Sequence, residues 1–152
     1  MFHNSNNPCF HGSCLVNMWV DNDQLSNVTK KVQDIRKGDT VRTPYGFSKV
    51  RCVIKTWCKD GKEFLVRMDN GLLVTQWHPI RYNGMWVFPA NVGIVKYMDC
   101  EAIYSFVLET DHIMIIDNTE CACLGHHIDG DVIGHEYFGT DKIIEDLKKL
   151  EG

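Results

Sequence analysis

Long apolar runs are missing from this 152-residue chain. The longest, such as Ile113-Met114-Ile115-Ile116, fall far short of the roughly 18 residues a membrane-spanning helix needs, so no membrane partner is expected. The first eight residues, Met1 to Pro8, are polar and Asn-rich and hold no apolar core of a signal peptide. Excess positive charge is missing too. Sixteen Lys and Arg stand against twenty Asp and Glu, a net charge of -4, so there is no polyanion footprint and no nucleic-acid partner is expected. Seven cysteines lie at 9, 14, 52, 58, 100, 121 and 123. None of them forms a C-x-x-C pair, and the odd count opposes a fully paired disulfide scaffold. Free thiols suit a reducing compartment, which makes the cytoplasm the expected location. His126, His127 and His135 lack a carboxylate or cysteine at ligand spacing, so neither a metal nor another cofactor is expected. There is no low-complexity segment and no internal repeat.

What is present is the composition of one globular domain. The 44% hydrophobic and 11% aromatic content can fill a core, and a chain of this length buries about two-thirds of its unfolded surface. The pattern is of short strands separated by turn residues: Val16 to Val20, Val50 to Trp57, Phe64 to Met68, Leu72 to Thr75, Ile94 to Tyr97, Ala102 to Leu108 and His112 to Ile116. Asp60-Gly61, Asn70-Gly71 and Asn83-Gly84 are preferred hairpin pairs. The end differs. Thr140 is a good N-cap, and Ile143, Ile144, Leu147 and Leu150 recur at helical spacing, which predicts an amphipathic helix over 141–150 that docks on the β body. The fold class expected is all-β with one C-terminal helix.

Two stretches carry chemistry. The first is Cys9-Phe10-His11-Gly12-Ser13-Cys14-Leu15-Val16, a cysteine at the start of a strand behind a polar leader. The second is Thr75-Gln76-Trp77-His78, where the spacing can set a hydroxyl and an imidazole on one side of a turn before Pro79 ends regular pairing. Taken singly, His78 reads equally as a structural histidine, and the plain alternative for Cys9 is an inert thiol. Together, and in this order, they resemble the opening and middle motifs of the Hint family, the self-processing domains of inteins and hedgehog proteins. Lys31 to Val41, with Val32, Ile35, Gly38-Asp39 and Val41, is similar to the segment that follows the cysteine in Hint domains, although alone it reads as an ordinary hairpin. Asp111 to Asn118 resembles the next-to-last Hint motif, a strand opened by His112 and closed by an Asx turn, and Thr119 to Cys123 the final strand. The tail, Leu124-Gly125-His126-His127 and His135 to Thr140, is similar to the Vint subfamily found with von Willebrand A domains.

The resemblance implies a horseshoe-like β fold over residues 9–152, with 1–8 as a flexible leader. It implies that Cys9 is a nucleophile attacking the Pro8 carbonyl, an N–S acyl shift that yields a thioester. That step must overcome amide resonance, whose rotational barrier is about 18–20 kcal/mol. It therefore needs a thiolate, a donor for the oxyanion and an acid for the departing amine. His78 is implied as that acid, Thr75 as the residue orienting the peptide, and His112 and Cys123 as further catalytic positions. Inteins end in His-Asn, whereas Ala122-Cys123 stands here, so Asn-driven C-terminal cleavage and ordinary splicing are not expected. Hedgehog proteins place a cysteine where Cys123 stands. Cys52 to Trp57 holds no carboxylate, so a sterol acceptor is not expected either. The substrate is then the chain's own N-terminal flank, the acceptor water or a thiol or amine, and the domain a monomer. From another class, the alternative is a Hint-derived structural or protein-interaction module that no longer cleaves.

Overall fold

The computed structural model describes residues 8–20 and 28–124. The predicted helix 141–150, His126, His127, His135 and leader residues 1–7 lie outside the described residues. Thirteen strands are described: β1 Phe10–His11, β2 Leu15–Asn17, β3 Thr29–Lys31, β4 Thr40–Thr43, β5 Gly46–Trp57, β6 Lys62–Arg67, β7 Leu73–Thr75, β8 Ile80–Tyr82, β9 Met85–Val87, β10 Val95–Asp99, β11 Ala102–Leu108, β12 Ile113–Ile116 and β13 Thr119–Ala122. They form a seven-stranded sheet in the order β10-β6-β7-β1-β11-β5-β4 and a six-stranded sheet in the order β3-β2-β12-β13-β8-β9. The all-β expectation holds.

Turn chemistry explains most of the hairpins. Asn83 and Gly84 both take positive φ, 51° and 79°, as a tight two-residue turn requires, and β8 pairs with β9 around them. Asp117 and Asn118 do the same between β12 and β13, with φ of 47° and 62°. Asn70-Gly71 likewise joins β6 to β7. The third expected hairpin is not formed. Asp60 and Gly61 are left-handed, at φ 58° and 65°, but they sit in a 3-10 turn that turns the chain away from β5. β5 pairs with β4 over Gly46–Lys49 and with β11 over Val50–Trp57, and β6 pairs with β10 and β7 instead. Nor does Lys31 to Val41 form a simple hairpin. A 3-10 turn over Val32–Asp34 separates β3, which pairs with β2, from β4, which pairs with β5. Val32, Ile35 and Val41 are all buried there. The α-helix among the described residues is the four-residue Pro89–Val92, whose first position holds a proline with a φ preset for a helix start.

The strand that matters most is the shortest. β1 contributes two residues, yet it lies between β7 and β11, with Phe10 opposite Val74 on one side and Tyr104 on the other. Phe10 is 1% exposed and packs on Phe106 at a ring separation of 6.3 Å. Every residue of β11 is buried, which accounts for its unbroken apolar reading instead of an alternating one. One polar side chain interrupts it, Ser105.

Candidate active site

Because β1 is central, the peptide bond before it is drawn into the sheet. Pro8, read from sequence with the leader, is buried. The Cys9 N–H donates to Thr75 Oγ1 at 2.9 Å, and the Thr75 N–H donates back to the Cys9 carbonyl at 3.0 Å. The Pro8–Cys9 amide is therefore held from its nitrogen side by one residue of β7. Cys9 and Thr75, 66 positions apart, are brought together as expected.

The carbonyl side is held by a residue the sequence reading missed. Ser105 Oγ donates to the Pro8 carbonyl oxygen and lies 3.1 Å from Cys9 Sγ. A buried hydroxyl without a partner costs about 1–3 kcal/mol, so a lone serine in an otherwise apolar strand needs a polar contact. Ala-Ile-Tyr-Ser-Phe-Val-Leu carried that signal. What it could not show is that the contact is the Pro8 carbonyl.

His78 is 1% exposed. Its ring packs tilted by 45° against Phe10, the neighbour of Cys9, at 4.2 Å, and its Nε2 lies 2.7 Å from the Ala122 carbonyl oxygen. A carbonyl only accepts, so Nε2 carries a proton. The backbone turn is closed by His78 N–H donating to the Thr75 carbonyl at 3.2 Å. His112 lies in the loop before β12, where it and Asp111 take φ of 50° and 65°, a conformation His and Asp tolerate better than most residues. The Cys123 N–H donates to the His112 carbonyl at 2.9 Å, so these two expected site residues are neighbours. The next residue, Leu124, donates to the Phe106 carbonyl at 3.1 Å, which returns the chain to β11 one position beyond Ser105. Segments 8–10, 75–78, 105–106 and 122–124 thus converge.

Burial dominates the electrostatics. Loss of solvent pushes the Cys9 thiol from 9.0 up to about 12; the Ser105 contact opposes this, while Glu63 and Cys58 add to it. At neutral pH the thiol form is therefore favoured there. Burial also raises Cys123 and takes Cys14 to about 12. The same shifts predict a pH dependence of stability. A folded state that holds a thiol proton more tightly than the unfolded chain keeps its full advantage below the unfolded value of 9.0 and loses it toward about 12. The thermal midpoint, followed by circular dichroism, is expected to be flat near neutrality and to fall above about pH 9. Replacing Cys9 and Cys14 by Ala should flatten that fall; an unchanged slope would locate the effect elsewhere. Among the described residues, no group of three or more His, Cys, Asp or Glu side chains is arranged to hold a metal ion.

Solved structures share this architecture. The gp41-1 intein is similar at a TM-score of 0.56 and 12% identity, with 76% of this chain and 98% of the intein covered. A DnaB intein from Synechocystis sp. PCC 6803 is similar at 0.56 and 11%, with 77% and 99% covered. At these identities the likeness is one of fold, and it places the chain in the class of intein-like Hint folds. The Vint family, described as a Hint-domain, matches residues 8–152, and the chain belongs to it. No curated protein matches the chain. Membership in the Hint class implies self-processing built on cysteine chemistry.

Proposed function

We propose that this domain cleaves its own chain by an N–S acyl shift at Pro8–Cys9. The observation that carries this reading is that three atoms of the reaction are each held. Cys9 N is bonded to Thr75, and both the Pro8 carbonyl oxygen and Cys9 Sγ contact Ser105. In the reaction Cys9 Sγ bonds to the Pro8 carbonyl carbon, the carbon–nitrogen bond breaks, and the thiol proton is balanced by one gained at the Cys9 nitrogen. Water, or an external thiol or amine, then takes the acyl group from sulfur. His78 supplies the proton to nitrogen. Since Nε2 is turned to Ala122, delivery is through Nδ1 of the imidazolium, whose other N–H the Ala122 carbonyl stabilises. Cys123 cannot cyclise as an asparagine does, so release is confined to the N-terminal side.

The test is a fusion carrying a larger folded partner before residue 1, incubated with and without a thiol and followed by mass spectrometry. Thiol-dependent release with a new N-terminus at Cys9 supports the shift. An intact fusion under folded conditions rejects it in favour of the non-cleaving module.

Pro8 predicts the rate. Its ring fixes φ near -65° and crowds the carbon under attack, whereas reaction needs an approach of about 3–3.5 Å. Thiol-induced release is expected to be slow in the parent and faster in Pro8→Gly by on the order of tenfold. Equal or faster release from the parent, measured side by side, would show a site adapted to proline.

A further inference from the structure

We propose that Ser105 is a catalytic proton relay, passing the Cys9 thiol proton to the Pro8 carbonyl oxygen as the carbon–sulfur bond forms. The inference rests on the acyl-shift reading above and deepens it. A serine hydroxyl has one hydrogen, and that hydrogen points to the Pro8 carbonyl, which can only accept. At the 3.1 Å contact with Cys9 Sγ, Ser105 is therefore the acceptor and the thiol the donor. The hydrogen bonds run in one direction, from S–H to Oγ–H to O=C. Attack of sulfur on the carbonyl carbon closes this chain into a six-membered ring of sulfur, two protons, two oxygens and carbon. Ser105 gains one proton and gives up another. The π pair of the carbonyl becomes the new O–H bond, the S–H pair becomes the new C–S bond, and the tetrahedral product is neutral.

The surroundings favour a neutral path. Cys9 is 4% exposed and packs with Leu65, Cys100 and Ile103. The ionisable groups packed beside the thiol are Glu63 on β6, Cys58 at the end of β5 and Cys100 before β11, none of which is a cation, while His78 is assigned to the amide nitrogen. A separated thiolate would find no positive partner among these groups and would be buried, an arrangement that buried charges avoid. A concerted relay never forms one. Ser105 sits on a strand buried along its whole length, so water cannot easily take its place.

The experiment uses the full chain fused to an N-terminal partner, with hydroxylamine trapping the thioester and release timed from pH about 6.5 to 8.5. A relay needs no preformed thiolate, so the parental rate should change far less than tenfold per unit. Ser105→Ala should be slower by roughly 10²-fold near neutrality, and its remaining rate should climb about tenfold per pH unit, because only the thiolate route is left. Ser105→Thr keeps the hydroxyl and should restore the shallow profile. A serine needed only for packing would lower the rate without steepening the profile. A parental rate that itself climbs tenfold per unit overturns the relay while leaving the acyl shift standing, and needs no variant to fold. A Ser105→Ala variant that is folded, as fast as the parent and equally shallow overturns it as well. Absence of any trapped thioester from the parent would instead reject the acyl shift itself.

Discussion

The Cys9→Ala variant is expected to release none of its N-terminal partner, with or without thiol, while remaining folded. The thiol is the atom that takes the acyl group, and the neighbouring hydroxyl of Ser105 already has its hydrogen directed to the Pro8 carbonyl. The loss of activity should therefore be complete. Stability should change little. Cys9 is buried with Leu65, Cys100 and Ile103, but only a sulfur atom is removed, and a typical cost for such a change is about 1 kcal/mol. The backbone bonds that clamp Cys9 to Thr75 do not involve the side chain of residue 9. Circular dichroism and gel mobility together decide the matter. Release from a folded Ala variant at the parental rate would remove Cys9 from the mechanism.

His78→Ala should slow thioester formation by roughly 10²-fold or more, the scale for losing a general acid. Two effects are mixed in that substitution. It leaves the Ala122 carbonyl without its imidazole donor, costing about 1–3 kcal/mol, and it removes the ring that packs against Phe10. His78→Gln separates them, because its amide can still donate to Ala122 but cannot deliver a proton to nitrogen. The expected result is a Gln variant close to the parent in melting temperature and close to the Ala variant in rate. Thr75→Ala should be slowed less than either, since its hydroxyl orients the amide and delivers no proton to the nitrogen. If Gln restored the rate along with the stability, His78 would be a packing residue only.

Residues that belong to one local pattern were legible in the sequence. The hairpins at Asn83-Gly84 and Asp117-Asn118 follow from residues that tolerate positive φ, and the strand boundaries of Ala102–Leu108 from an apolar run. Cys9, Thr75 and His78 were legible as a pair of motifs in order. The turn at Asp60-Gly61 was misread because its chemistry is that of a hairpin while its neighbours are not. The stretch of β5 before this turn is paired to β11, which begins 41 positions after Gly61 and is invisible to a local reading. Ser105 was missed for the same reason. Its identity is ordinary, and its role exists only because Pro8, 97 positions earlier, lies against it. The proton on His78 Nε2 similarly depends on Ala122, 44 positions away.

The placement of β1 in mid-sheet sets the timing of the chemistry. The groups that engage the Pro8–Cys9 amide are 66 and 97 positions further on. During synthesis the ribosome must pass Ser105, and β7 and β11 must dock, before the bond meets any of its partners. Such long-range pairing is slow compared with local structure. Under the proposed reaction, a growing or misfolded chain would stay uncut, and severance of the upstream segment would report that the domain behind it has reached its native topology.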